Sequence, residues 1–122
     1  MARVLVIDDE DFIRDMLRKM LETDGHEVIE APNGKIGATL YRENPADLVV
    51  TDILMPEADG AVTIRQLKRD YPDVKIIAIS GGGSIADADT CLSVASRFGA
   101  LRVFAKPFSK QDLLTAVREL VG

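Results

Sequence analysis

The chain has no tryptophan, one cysteine and one histidine among 122 residues. A lone cysteine, Cys91, closes no internal disulfide and has no cysteine partner for a metal cluster, so a reducing cytoplasm is the expected compartment. Long apolar runs are missing too. The longest are about four or five residues against the roughly 20 of a membrane span, so neither a signal peptide nor an anchor is expected. Cations are in deficit, with 15 Lys and Arg against 20 Asp and Glu and a net charge of -5. That balance disfavours phosphate backbones and anionic lipid, and neither nucleic acid nor membrane is expected as a partner. What remains is 47% hydrophobic and only 5% aromatic, an ordinary globular composition. At this length a single domain, 1–122, is expected, large enough to hide roughly two-thirds of the surface its unfolded chain exposes.

Short apolar runs recur along the chain: "VLVI" at 4–7, "LVV" at 48–50, "VKIIAI" at 74–79 and "VFA" at 103–105. Separated by helix-period segments, they read as parallel strands covered on both faces, whereas the alternating "HEVIEA" at 26–31 reads as an edge strand. The first helix is expected to carry a stripe of Phe12, Ile13, Met16, Leu17, Met20 and Leu21, with Gly25 at its C-terminal cap. Further helices are expected near 34–43, 60–71 and 84–98. A last one opens after Ser109 as N-cap, with Asp112 three residues on, and buries Leu113, Leu114, Val117, Leu120 and Val121. The helix near 84–98, poor in large apolar residues, should be the least stable. Five βα units with right-handed crossovers imply an α/β fold, a three-layer doubly wound sandwich around a five-stranded parallel sheet.

Such sheets bind ligands beyond the carboxyl ends of their strands. There the sequence sets Asp8 and Asp9 after the first strand, Asp52 after the third, Ser80 after the fourth and Lys106 after the fifth. Each has a bland reading. Asp8 and Asp9 could cap the next helix, Asp52 could begin a turn before Pro56, and Lys106 before Pro107 could be a surface lysine. Their joint placement argues otherwise, because independent capping roles would not bring a hydroxyl and a lysine to the same rim. Two like charges about 4 Å apart repel by ~4 kcal/mol at an effective dielectric near 20, so crowded carboxylates call for a cation. Oxygen-only ligands suit a hard ion, and a few carboxylates with open positions suit Mg²⁺.

The motifs "VLVIDDED", "VVTDILMPEADG", "IIAISG" and "VFAKPF", in this order across the whole chain, resemble the response-regulator receiver domain of two-component signalling, of the single-domain chemotaxis-regulator kind. The resemblance implies a flavodoxin-like sheet of order 2-1-3-4-5. It implies that Asp52 accepts a phosphoryl group from a histidine kinase or phosphotransfer protein in a Mg²⁺-dependent reaction. Asp9, Asp52 and the backbone carbonyl of Leu54 would bind the ion directly and Asp8 through water, while Ser80 and Lys106 would contact the phosphoryl group. The modification would then alter the surface of the fourth helix, fifth strand and fifth helix, read by a downstream protein or by a second copy in a phosphorylation-linked homodimer. Such a domain is a switch rather than an enzyme, assisting only its own phosphorylation and dephosphorylation.

The chain departs from that pattern twice. Three residues before Lys106 the family usually has an aromatic switch residue, and here stands Val103; Phe104, one later, points to the opposite face and is expected in the core. The segment "SGGGSIADAD" at 80–89 is about four residues longer than usual, either a mobile partner-facing loop or a tolerated insertion. Three other residues are discounted: His26 as solvated surface, Cys91 as a small buried residue, and "RQLKRD" at 65–70 as a wet helix face. Two rival functions remain. A Mg²⁺-dependent aspartyl-phosphate phosphohydrolase of the haloacid-dehalogenase type would want an Asp where Leu54 stands. A flavin- or nucleotide-binding module would want a phosphate loop where the first strand meets acids.

Overall fold

Alternation decides which way each strand residue faces, and here both faces are apolar. The computed structural model describes residues 2–52, 60–80, 99–105 and 108–121, without the side chains of residues 60, 61, 80 and 105. Five strands, β1 (Arg3–Ile7), β2 (Glu27–Ala31), β3 (Leu48–Asp52), β4 (Ile76–Ser80) and β5 (Arg102–Ala105), form one parallel sheet in the order β2-β1-β3-β4-β5. Leu5, Ile7, Val49, Ile76 and Ala78 pack on one side with Tyr41, Ile64 and Leu67. Those partners belong to α2 (Gly34–Glu43) and α3 (Gly60–Asp70). Val4, Val6, Leu48, Val50, Ile77 and Ile79 pack on the other side with Leu17, Met20, Leu21, Leu113, Leu114 and Val117. These come from α1 (Asp11–Thr23) and α4 (Lys110–Val121). The three-layer sandwich and the strand order are as the sequence led us to expect, with β2 at one edge. The expected helix near 84–98 and the glycine triplet lie outside the described residues, as does Cys91.

Local signals explain where the elements start and stop. Gly25 takes φ 90°, a left-handed conformation that costs glycine little, and so ends α1. The Asn33 side chain accepts from the Ile36 amide at 2.8 Å, and Ser109 Oγ accepts from the Asp112 amide at 3.3 Å, opening α2 and α4. Gly37 lets α2 lie against the sheet: a Cβ there would meet Ile7 Cγ1 at 2.8 Å.

Three expectations are corrected. Phe12 is 77% exposed, because the buried arc of α1 centres on Leu17, Met20 and Leu21 and leaves the first turn's outer side in solvent. The fourth strand begins at Ile76, since the Val74 amide is taken by the Tyr71 carbonyl at 2.9 Å in the preceding turn. His26 is buried: its Nδ1 accepts from the Ala2 amide at 3.2 Å, and its Nε2 lies 3.5 Å from Asp24 Oδ2. Phe104, by contrast, does pack against the core and tilts towards Phe108 at a ring separation of 6.2 Å, while Val103 is exposed.

Candidate functional site

Register brings the acids together. Ile7 is paired with Thr51, so the next residues, Asp8 and Asp52, stand level on neighbouring strands roughly 4.8 Å apart. Asp8 stays attached to the sheet on its other side, its amide donating to the Ala31 carbonyl at 3.1 Å. Both side chains are buried, Asp8 at 1% and Asp52 at 3% exposure, and Asp9 beside them is exposed. One carboxylate oxygen from each of Asp8, Asp9 and Asp52 lies within 4.8 Å of the others.

Capping accounts for only part of this arrangement. Asp8 Oδ1 accepts from the Glu10 amide at 2.8 Å, at the entrance to α1. The N-cap itself is Glu10, which makes no side-chain cap bond. The bland reading therefore explains one oxygen of Asp8 and leaves the approach of Asp9 and Asp52 unexplained.

The donor set fits a small hard cation. All three donors are carboxylate oxygens, without sulfur or imidazole, and one member faces solvent. Oxygens on opposite sides of a Mg²⁺ ion stand about 4.2 Å apart, twice its usual bond length. Three carboxylate oxygens within 4.8 Å of one another can therefore approach one such ion.

Of the residues singled out from sequence, Asp8, Asp9 and Asp52 thus come together. Ser80 closes β4 in register with Ala105, one position beyond the Ile79 that pairs with Asp52. Leu54 and Lys106 lie outside the described residues. Sequence reasoning overlooked Arg14. Its Nη1 donates to the Asp8 carbonyl at 2.8 Å, and the available signal was a cation one helical turn into α1 behind a run of acids.

Comparison with known proteins agrees with this geometry. A family model described as "Response regulator receiver domain" matches residues 4–118. The chain is 37% identical over 122 residues to the sensor kinase CckA of Brucella abortus, covering 98% of this chain and 12% of the kinase. It is 34% identical over 121 residues to the chemotaxis protein CheY of Bacillus subtilis, covering 98% of each. It spans just under half the length of several relatives described as probable transcriptional regulators. A crystal structure of a response regulator receiver domain protein from Clostridium thermocellum superposes with a TM-score of 0.89 at 34% identity, covering 99% of this chain and 94% of that one.

Proposed function

The chain belongs to the response regulator receiver domains, whose function is that of a phosphoacceptor switch, and we propose that Asp52 is the residue that accepts the phosphoryl group. In this reading Asp9, Asp52 and the backbone carbonyl of Leu54 hold Mg²⁺ directly and Asp8 holds it through water. Ser80 and Lys106 contact the phosphoryl oxygens. The observation that carries the reading is the meeting of three carboxylates at the ends of β1 and β3, two of them buried. Like charges gathered this closely favour a bound cation.

The chemistry is a displacement at phosphorus. A carboxylate oxygen of Asp52 attacks in line as the phosphorus–nitrogen bond of a phosphohistidine breaks, the bonding pair leaving with the imidazole of a histidine kinase or phosphotransfer protein. When bound, Mg²⁺ supplies charge neutralisation for the phosphoryl oxygens. Lys106 adds a fixed positive charge, and burial of Asp52 lowers the local dielectric so that each contact counts for more. Water attacking the same phosphorus returns the carboxylate, so the domain assists its own reset and turns over no external substrate.

The phosphoryl group adds roughly -1.5 to -2 charges and several strong acceptors, so Ser80 and Lys106 gain contacts that exist only in the modified state. Inverting a 1:99 population needs about 5.5 kcal/mol of such differential contact. The affected surface comprises the segment 84–98, β5 and α4, where a downstream protein or a second copy would read it. With Val103 exposed and Phe104 partly buried against the core, the change proceeds through the chain after Ser80 without an aromatic swinging inward. Among the described residues no helix is long and apolar enough to cross a membrane.

Incubation with a small acyl-phosphate donor and Mg²⁺, followed by mass mapping, tests the assignment. One phosphoryl adduct at Asp52, dependent on the metal, is expected. An adduct elsewhere, or steady turnover of a phosphomonoester as in the phosphohydrolase alternative, would overturn it.

A further inference from the structure

We propose that Arg14 is a positioning residue of the acidic site, fixing the peptide between Asp8 and Asp9 so that their carboxylates are set for a divalent cation. The inference rests on the metal-binding reading of that site. Arg14 is the fourth residue of α1, and its side chain is only 15% exposed. Its guanidinium is engaged on every side. Nη1 donates to the Asp8 carbonyl at 2.8 Å, Nη2 pairs with Asp11, and Nε lies 3.5 Å from Glu30 Oε1 on β2. The helix holds Arg14 from behind, its amide donating to the Glu10 carbonyl at 3.0 Å.

The carbonyl that Arg14 grips is not incidental. A peptide unit is planar, so the Asp8 carbonyl and the Asp9 amide turn together, and fixing one oxygen fixes the plane that leads to the Asp9 Cα. On the upstream side the Asp8 amide is held by Ala31 of β2, and the Asp8 carboxylate takes the Glu10 amide. Arg14 adds a restraint on the downstream side of the turn that carries Asp9, the exposed member of the trio. A guanidinium suits the task because its planar fork serves a carbonyl and two carboxylates at once, which a single ammonium does not. Arg18 also pairs with Glu30, at 3.0 Å, and is a neighbouring cation outside the restraint on the Asp8 carbonyl.

A purely electrostatic role makes the opposite prediction. Arg14 is a cation among Asp8, Asp9, Glu10, Asp11 and Glu30, and a cation near a metal site repels the metal. If charge were all it contributed, Arg14→Gln would tighten Mg²⁺ binding and Arg14→Lys would leave it unchanged. If Arg14 positions the turn, both substitutions weaken it, by the roughly tenfold or more that loss of an outer hydrogen-bonding partner costs a metal site.

The experiment is calorimetric titration of the whole chain with Mg²⁺, well below each variant's unfolding temperature. It compares the wild type, Arg14→Gln, Arg14→Lys and Arg18→Gln, with the Asp9 amide resonance followed in parallel. Expected are weaker binding and a displaced Asp9 resonance in both Arg14 variants, and wild-type behaviour in Arg18→Gln, which loses a neighbouring cation but not the carbonyl bond. Tighter or unaltered binding in Arg14→Gln overturns the proposal. Should that variant fail to fold, Arg14→Lys decides alone, and wild-type affinity there overturns it. Absence of saturable Mg²⁺ binding by the wild type overturns the site reading and this inference together, whereas wild-type binding with unaffected Arg14 variants overturns only the latter.

Discussion

The two ends of the sheet handle charge in opposite ways. At the carboxyl end three acids lie within 4.8 Å of one another. At the amino end acids meet donors: Asp24 takes bonds from Arg118 at 2.6 and 3.0 Å, and Asp47 Oδ2 accepts the Arg3 amide at 2.8 Å. Lys75 there closes on the Leu120 carbonyl of α4 at 2.6 Å. The paired end ties α1, β1 and the last helix together, and exposed pairs of this kind contribute little each. Carboxylates of one sign crowded and partly buried work against folding, and a fold tolerates them where a ligand is to be bound. The difference separates charge that ties elements to one another from charge of one sign gathered at a single site.

The contrast can be broken most forcefully at Asp52. Asp52→Ala should abolish the phosphoryl adduct, read by mass spectrometry after exposure to acyl phosphate and Mg²⁺, while far-ultraviolet circular dichroism stays native. Next in size, Mg²⁺ at a hundredfold excess over its dissociation constant should stabilise the wild type by about 2.7 kcal/mol in thermal melts. Asp52→Asn in chelator should be more stable than the wild type, because it relieves repulsion among the acids. Substitutions at the amino end should do the reverse, harming stability and sparing the chemistry. His26→Ala removes a buried ring and the acceptor for the Ala2 amide, and urea unfolding should show a loss of roughly 2–3 kcal/mol with adduct formation unchanged. Gly37→Ala, which presses on Ile7 at the carboxyl end of β1, should cost about 1–3 kcal/mol.

The smallest effect concerns pH. The hydrogen bonds from Arg118 hold the Asp24 carboxyl below its ordinary value of 3.8. A depressed carboxyl contributes stability that is present above the unfolded value and lost as pH falls through the folded one. Wild type and Arg118→Gln should therefore differ slightly near neutrality, and their melting curves should converge as pH drops below 3.8. A gap that persists at the lowest pH would show that Arg118 stabilises by packing instead.

Much of this was legible in the sequence because the relevant physics is local or periodic. Continuous apolar runs such as "VLVI" report strands covered on both faces, Gly25 and Ser109 mark helix ends, and acids placed after strands one and three must share an edge once the sheet is parallel. Neighbours decide what was not legible. Phe12 satisfies the helical period, yet it stands exposed. His26 looked like a surface residue until the Ala2 amide and Asp24 closed around it. Arg14 reads as one more charge on a wet helix, and only the turn that carries Asp8 back over the start of α1 reveals its bond to a carbonyl.

The most direct test of the division between the two ends is a Mg²⁺ titration followed by amide resonances. Saturable shifts centred on residues 7–10 and 51–52 are expected, with residues 24–27 and 117–119 still. Shifts spread evenly over both ends, or centred on Asp24 and Arg118, would contradict that division.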